Sequence, residues 1–302
     1  MHTSDYKPPP RRRSCWGCAG RLLLWGLLLV GLAVAAFLLS FPLFPPFGDA
    51  RTARILVLGL DKAEEGAQRS DTIIVCVAKL DGSGTTLISI PRDARVHIPG
   101  TRGFRKINAA YPIGGEALAQ RTLAQSTVLG AECPYYVTLD SEATQAMVDA
   151  MGGITVDVPV RMRYDDNWGN LHIDLQPGRQ HLTGRQVVGY LRWRKNNHGV
   201  RGPGGDDIKR GERQRAVVAA IVAQLRGWPG MTKAPDVYRA FRAHVHTNLT
   251  GWRRFLALGW AARSLHLAAV PGDTATGGGV SYINADWAAG RQLWDDAGGN
   301  AR

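Results

Sequence analysis

No charged side chain occurs between residues 22 and 47. The first part of this run, 22–41, is almost purely apolar and contains nine leucines, which is long enough for a helix to cross about 30 Å of hydrocarbon. Arg11, Arg12, Arg13 and Arg21 precede it, and by the positive-inside rule they keep the N-terminus in the cytoplasm. The sequence therefore predicts one transmembrane helix over 22–41, with the rest of the chain extracytoplasmic.

Two other interpretations of the N-terminus are less favoured. A cleaved signal peptide would have a shorter apolar run, and Pro42, Pro45 and Pro46 stand where a small-x-small cleavage site would follow. Cys15 and Cys18 have the spacing of half a zinc site, but no second pair completes it. We interpret these cysteines as juxtamembrane thiols, either acylated or idle.

The distribution of charge divides the chain further. The formal net charge is +12, of which residues 1–21 contribute +4 and residues 22–47 nothing, so that +8 remains for the rest. We predict a basic cytoplasmic tail (1–21), a transmembrane helix (22–41), a proline-rich stem (42–52) and one extracytoplasmic domain (53–302). A basic domain favours anionic partners. Nucleic acid is not expected as a partner, because the domain lies outside the cell.

Apolar runs and turn residues indicate the fold class. Continuous apolar runs at 53–60, 72–80 and 85–90 predict buried strands, and the Asp81–Gly84 turn makes the last two an antiparallel hairpin. Further strands are expected at 135–139, 154–158 and 280–283, and helices at 114–129, 141–151, 183–190, 206–226 and 251–265, with Ser141, Thr183 and Thr250 as helix caps. This alternation predicts an α/β domain with three α/β/α layers and a mixed central sheet.

Three charged residues stand at the ends of the first strands. Asp61 follows the first strand, Asp71 begins the second and Arg92 follows the third, so that antiparallel pairing would bring them to one edge of the sheet. Two carboxylates beside an arginine suit a divalent cation and a phosphate. The alternative is that these are separate charges solvated at the surface.

Several motifs occur in an order that resembles one known family. They are LVLGLD (56–61), RSDTIIV (69–75), ISIPRD (88–93), KINAAYPIGG (106–115), DAMGGITVDVP (149–159), LHIDLQPGRQHLTGRQVVGYLRWR (171–194), GERQR (211–215) and, more weakly, HTNLT (246–250). The resemblance is to the LytR-CpsA-Psr family and covers about residues 53–250. It implies a phosphotransferase of the bacterial plasma membrane that moves a glycan phosphate from a polyprenyl-pyrophosphate carrier to a peptidoglycan hydroxyl.

The resemblance also implies roles for individual residues. Asp61 and Asp71 would hold Mg²⁺, with Mn²⁺ as the alternative ion, and Asp71 and Arg92 would be the catalytic residues. The residues expected to bind the pyrophosphate are Arg69, Lys106, Arg192, Arg194, Arg210 and Gln214. The sequence around Arg210 departs from the usual motif, which makes Arg213 the substitute if the register differs.

Alternatives to the transferase use the same residues differently. A hydrolase would replace the acceptor hydroxyl with water. An inactive glycan-binding relative is disfavoured by the complete set of Asp61, Asp71 and Arg92, and a transcriptional attenuator by the short tail. The sequence leaves open whether Cys76 and Cys133 form a disulfide or stay as buried thiols. His244 and His246 are interpreted as surface histidines.

Overall fold

The computed structural model describes residues 25–26, 28–29, 31–32, 36, 45–62, 68–167, 171–197, 207–226, 228–277 and 279–300. By its internal contacts the chain divides into two compact units, Met1–Gly48 and Asp49–Arg302. In the first unit, residues 25–26, 28–29, 31–32 and 36 are helical, and the strand β1 begins at Pro46. None of the helices among the described residues has both the length and the apolarity to span a bilayer. The transmembrane helix over 22–41 stays a prediction, because most of it lies outside the described residues.

The strands of the described residues are β1 (Pro46–Asp49), β2 (Thr52–Lys62), β3 (Gln68–Lys79), β4 (Gly84–Ile90), β5 (Arg95–His97), β6 (Phe104–Lys106), β7 (Tyr135–Leu139), β8 (Ile154–Val158), β9 (Met162–Asp166), β10 (Leu171–Leu175), β11 (Gly178–Leu182), β12 (His246–Thr247), β13 (Leu265–Ala269), β14 (Gly272–Gly277) and β15 (Val280–Ala285). The helices are α1 (Ala110–Ala124), α2 (Ser141–Ala150), α3 (Gly184–Arg192), α4 (Asp207–Arg226), α5 (Trp228–His244), α6 (Trp252–Ala261) and α7 (Trp287–Asp296). A 3-10 helix, Ile107–Ala109, precedes α1.

A six-stranded sheet with the order β12, β7, β2, β3, β4, β13 forms the centre of the second unit. β3 runs antiparallel to both β2 and β4, whereas β2 pairs with β7, and β4 with β13, in parallel. Smaller antiparallel pairs are β5–β6, β8–β11, β9–β10 and β14–β15. The structure thus confirms an α/β fold with a mixed central sheet, and the predicted hairpin of β3 and β4.

Two hydrophobic cores stabilise the second unit. The first includes Leu56, Val75 and Ile88 of the central sheet together with Leu123 of α1 and Trp294 of α7. The second lies among the β8–β11 and β9–β10 pairs and the helices α2 to α5. All six residues 73–78 of β3 are buried. Because successive side chains of a strand point to opposite faces, the sheet is covered on both sides at β3, as a three-layer arrangement requires.

Some predicted boundaries differ from the structure. α1 begins before residue 114, because the helix crosses Gly114 and Gly115 with a kink at their non-helical dihedrals. Of the predicted caps, Thr183 is confirmed by a reciprocal capping box with Gln186. The other two were wrong, since Asp140 accepts from the backbone of α2 and Gly251 stands at the start of α6. The last predicted helix, 251–265, ends at Ala261 instead, and its predicted final residue, Leu265, begins β13.

The structure answers whether Cys76 and Cys133 form a disulfide. Cys76 and Cys133 are both free and buried. Burial raises the pKa of each thiol to about 12, and for Cys133 a negative charge on the nearby Cys76 would add to the rise. These thiols are therefore neutral side chains of the apolar interior.

Candidate active site

Asp71 and Arg92 form an ion pair at one end of the β3–β4 hairpin. The two strands pair Ile73 with Ile90, so Asp71 and Arg92 each lie two residues beyond this pair at the same end. Nη1 of Arg92 is 2.9 Å from Oδ2 of Asp71, and the two side chains are 23% and 13% exposed. Because the pair is partly buried and charge-assisted, it orients both groups before any ligand arrives.

Asp93 and Lys106 extend this pair into a row of alternating charges. Nε of Arg92 is 3.6 Å from Oδ2 of Asp93, and Nζ of Lys106 is 2.8 Å from Oδ1 of the same carboxylate. We call Asp71, Arg92, Asp93 and Lys106 the charge row. The sequence did not single out Asp93 as a site residue, although it directly follows Arg92 in the ISIPRD motif.

Backbone hydrogen bonds hold the segment after Lys106 against the strand ends. The Ile107 N–H donates to the Ala94 carbonyl at 2.9 Å, and the Asn108 N–H donates to the Arg92 carbonyl at 3.2 Å. On the other side, the buried Ser70 hydroxyl donates to the Asn108 carbonyl at 3.4 Å. The charge row is therefore attached to a fixed backbone at both of its ends.

Asp61 and Arg69 lie opposite each other where β2 ends and β3 begins. The register shifts at this place: Gly59 pairs with Thr72 and Leu60 with Ser70, which leaves Asp71 as the extra residue of a β-bulge. A bulge re-aims a side chain and is frequent beside active sites. Arg69 is exposed and Asp61 is half-buried. Neighbouring strands thus bring Asp61 and Asp71 to the same end of the sheet as Arg92, as predicted, and Arg69 lies there opposite Asp61.

The bulge also requires a residue without a side chain at position 59. A Cβ atom added to Gly59 would lie 2.8 Å from Cβ and 2.9 Å from Oγ1 of Thr72. Such distances are too short for a real contact, so one of the strands would have to move. Glycine at this position allows the close approach of β2 and β3 beside the carboxylates.

Two further predicted residues, Arg192 and Arg194, lie on either side of Trp193 in the sequence. Trp193 is buried, whereas Arg192 and Arg194 on either side of it are exposed. Within the described part of the chain, neither of these two arginines forms an ion pair with an acidic side chain. Gln214 is half-buried on α4. The arginines therefore present two cationic side chains that an anionic ligand could use.

Arg213 of α4 contacts Trp193. Arg213 is only 3% exposed. Its guanidinium donates from Nη2 to the Trp193 carbonyl at 2.8 Å and lies 5.4 Å from the centre of the Trp193 ring. This inward contact makes it a poor substitute for Arg210 as a ligand of pyrophosphate. Arg210 belongs to α4, but its side chain lies outside the described residues.

The carboxylates fit Mg²⁺ only as part of a larger coordination shell. Among the described residues, no group of three or more His, Cys, Asp or Glu side chains could hold a metal ion. Asp61 and Asp71 can supply one or two carboxylate ligands. This is the usual number of protein ligands for Mg²⁺ when water and phosphate complete its coordination shell. A cation at Asp71 would also have to share that carboxylate with Arg92. The donor set therefore suits an ion that binds together with a phosphate.

A further polar cluster surrounds Glu116, which the sequence did not single out. One carboxylate oxygen of Glu116 is 2.8 Å from Nδ1 of His246 and accepts from the hydroxyls of Thr138 at 3.3 Å and Tyr111 at 3.5 Å. Burial and the neighbouring carboxylate raise the pKa of Tyr111. His246 is exposed, as predicted, but it is also paired. Tyr111 lies in the KINAAYPIGG motif, which connects this cluster to the charge row.

Comparison with known proteins relates the chain to one family and to several named relatives. The model of the LytR_cpsA_psr family matches residues 48–297. Regulatory protein MsrR of Staphylococcus aureus (strain COL) is 32% identical over 195 residues, which are 65% of this chain and 56% of MsrR. Polyisoprenyl-teichoic acid--peptidoglycan teichoic acid transferase TagU of Bacillus subtilis (strain 168) is 30% identical over 196 residues, 65% of this chain and 60% of TagU. The chain thus spans less than two thirds of the length of these relatives.

Solved structures show the same fold. TagV of B. subtilis superposes with a TM-score of 0.68 at 25% identity, covering 82% of this chain and 96% of TagV. TagT bound to LIIa-WTA superposes with a TM-score of 0.63 at 23% identity, covering 84% and 93% of the two chains. At this level of identity the likeness to TagT shows the fold alone.

Proposed function

Since this chain belongs to the LytR_cpsA_psr family, we propose that it is a membrane-anchored phosphotransferase of the bacterial cell envelope. It moves a glycan phosphate from a polyprenyl-pyrophosphate carrier to a hydroxyl of peptidoglycan. The name of TagU describes such a transfer of teichoic acid, which supports the reaction class. The single observation that carries the proposal is the charge row, because its Arg92 and Lys106 are two cations oriented by the carboxylates of Asp71 and Asp93.

In the proposed reaction the oxygen of the acceptor hydroxyl forms a bond to the phosphorus that bears the glycan. The bond from that phosphorus to the bridging oxygen breaks, and polyprenyl phosphate leaves with the electron pair. The hydroxyl proton passes to a base or to water, and no atom is oxidised or reduced. Phosphoryl transfer of this kind depends mainly on in-line positioning and on neutralising charge.

The charge row supplies this neutralisation with little loss of side-chain entropy on binding, because its cations are already held in place. Arg92 has two acidic neighbours, Asp71 and Asp93, so its guanidinium is already held near the position where a pyrophosphate oxygen would bind. Lys106 is held in the same way by Asp93. The guanidinium can form two parallel bonds to a phosphate, whereas the ammonium of Lys106 acts as a point charge. We assign catalysis to Arg92 and Asp71.

The remaining predicted residues would bind the rest of the pyrophosphate. Arg69 lies on the same strand as Asp71, two residues earlier. Arg192 and Arg194 are free of acidic partners in the described residues, and we assign them, with Arg210 and Gln214, to the phosphate nearer the glycan. Asp61 and Asp71 would hold Mg²⁺ or Mn²⁺, which when bound would withdraw charge from the phosphate oxygens.

The proposed location follows from the apolar run near the N-terminus. A helix over 22–41 would anchor the chain in the plasma membrane and leave the domain outside the cell. The active site would then share the membrane surface with its lipid-linked donor, and peptidoglycan lies on the same side. Protease added to intact cells should digest residues 53–302 and leave a small N-terminal fragment, and a protected domain would contradict this topology.

A hydrolase is the second candidate, since water could take the place of the acceptor hydroxyl at the same residues. The test is incubation of the full chain with polyprenyl-pyrophosphate-linked glycan, with and without peptidoglycan fragments. A transferase forms a phosphodiester-linked product in the first arm and little free glycan phosphate in the second. Release of glycan phosphate at equal rates in both arms would favour the hydrolase, and no turnover in either arm would contradict both. The variant Asp71→Asn should be inactive, whereas Arg239→Ala, at a surface ion pair of α5, should not change the rate.

A further inference from the structure

The β5–β6 hairpin has a basic and aromatic outer face beside the charge row. Its strands pair Arg95 with Lys106 and His97 with Phe104, so these four side chains lie on one face. Val96, between Arg95 and His97, is buried on the opposite side. We call Arg95, His97 and Phe104, with the exposed Arg102 in the loop that joins the two strands, the hairpin face.

Charge and exposure distinguish the hairpin face from an ordinary surface. Residues 94–110 contain four Lys or Arg and no Asp or Glu. Arg95 and Arg102 are exposed and, so far as the structure describes their surroundings, form no ion pair with an acidic side chain. Phe104 is 58% exposed, and the Arg95 guanidinium lies 4.6 Å from the centre of its ring. The surface thus combines uncompensated positive charge with an aromatic side chain in water.

The neighbouring β14–β15 hairpin enlarges this surface with further apolar groups. The Ile283 N–H donates to the Asp93 carbonyl at 2.9 Å, which places β15 beside the charge row. The ring of Tyr282 lies 5.8 Å from the Arg95 guanidinium and 6.0 Å from Nζ of Lys106. Val280, two residues earlier on the same strand, is also exposed. Aromatic and aliphatic side chains therefore surround the cations.

We propose that the hairpin face docks on the surface of an anionic phospholipid bilayer. Its arginines would contact lipid phosphates, while Phe104 would enter the boundary between headgroups and acyl chains, the combination that interfacial membrane binding uses. Lys106 belongs both to this hairpin and to the charge row, so docking would place Arg92 at headgroup height. The benefit of this position rests on the proposed function, in which a membrane-bound carrier presents its pyrophosphate at the height of the headgroups.

A soluble anionic polymer is the competing occupant, because its phosphates would also match the arginines. Positive charge alone does not distinguish the two. The exposed side chains of Phe104 and Val280 favour the bilayer, because a chain of phosphates offers no apolar environment to side chains that are otherwise left in water.

The test is amide hydrogen exchange of the full chain in phospholipid nanodiscs. In discs with phosphatidylglycerol, exchange within residues 99–105 should be about tenfold slower than in discs of phosphatidylcholine alone, as expected if the loop is docked about nine tenths of the time. Residues 171–182, in β10 and β11, should exchange equally in both. Equal exchange of 99–105 in the two kinds of disc would overturn the proposal. So would protection of 99–105 by inorganic polyphosphate in detergent without protection in anionic discs.

Matched variants separate docking from folding and from catalysis. Phe104→Ser and the double variant Arg95→Ser/Arg102→Ser should each lose most of the protection in anionic discs, whereas Leu267→Ser, at a similarly exposed apolar residue of β13, should keep it. All of these variants should retain the wild-type melting temperature and transfer rate in detergent. If transfer fails in every condition but the lipid-dependent protection remains, the proposed function is wrong and the docking surface stands. Persistent protection in Phe104→Ser and in the arginine variant would refute the docking surface.

Discussion

Replacing Arg92 with alanine removes the guanidinium that lies 2.9 Å from Asp71 and 3.6 Å from Asp93. Loss of one oriented donor to a developing negative charge commonly lowers turnover by about 100-fold or more, which corresponds to about 2.7 kcal/mol of activation free energy. We expect a loss of that size for transfer from the lipid-linked donor. Arg92→Lys should restore little activity, because an ammonium cannot form the two parallel bonds of a guanidinium.

The same substitution should have a small effect on stability. Exposed ion pairs contribute about 0–1 kcal/mol, and breaking fully buried ones costs about 3–5 kcal/mol. Asp71 and Arg92 are 13% and 23% exposed and lie at a strand end, so we expect a loss of about 1 kcal/mol in the free energy of unfolding. For a domain of this size that is a decrease of about 2–4 °C in melting temperature.

The two effects are measured together on the full chain in detergent. Transfer is followed by the appearance of polyprenyl phosphate, and unfolding by circular dichroism. Arg239→Ala is the matched control, since it also removes an arginine from an ion pair with aspartate, but at the surface. A melting temperature near that of wild type with near-normal transfer would refute the role of Arg92 and the site built around it. A decrease in activity no larger than the decrease in folded protein would mean that Arg92 only stabilises the strand end.

Three other predictions concern the metal, the bulge and the buried thiols. Asp61→Ala and Asp71→Ala should each abolish transfer without unfolding the protein, and EDTA should abolish transfer by the wild type. Unchanged activity in EDTA would exclude a metal role for both carboxylates. Gly59→Ala should lower the free energy of unfolding by about 1–3 kcal/mol through overpacking against Thr72, as measured by denaturant titration. Gly211→Ala is the control: its added Cβ would have no neighbouring atom closer than 3.6 Å, so the free energy of unfolding should not fall. Because the pKa of each buried thiol is raised from 9.0 to about 12, the unfolded chain loses these protons first, and the free energy of unfolding should fall between pH 9 and 12 by about 1.4 kcal/mol per pH unit for each thiol. Cys133→Ser should flatten that slope, and an identical slope would contradict the assignment.

The parts of the fold that the sequence predicted well are those with a strong local pattern. The apolar runs of β2, β3 and β4 predicted buried strands, and the turn at Asp81–Gly84 predicted the antiparallel pairing of β3 with β4. The antiparallel order then placed Asp71 and Arg92 at the same end, which is where the structure has them. The helix α5 was not predicted, because Pro235 lies within it and the segment has no continuous apolar stripe in its sequence.

Other features depend on contacts between distant segments and could not be predicted. The sequence predicted no strand at 265–269, and it placed Leu265 at the end of a helix. These residues pair with β4 as β13, and this parallel partner is far away in sequence. Asn248 stands just before α6, and the sequence predicts no distant contact for it. Its side chain instead bonds to the backbone of Tyr136 and Pro134, more than 100 residues earlier. The cluster around Glu116 likewise needs β7, β12 and α1 to meet.

The charge row joins residues that are close in sequence, and this has a consequence for how the domain folds. Asp71 and Arg92 are 21 positions apart, whereas β13 pairs with β4 through Leu265 and Thr85, which are 180 positions apart. Closing a short loop loses less chain entropy, so the β3–β4 hairpin can form first and the last parallel strand is added later. Substitutions that weaken this hairpin are therefore expected to slow refolding, whereas substitutions in β13 should mainly speed unfolding.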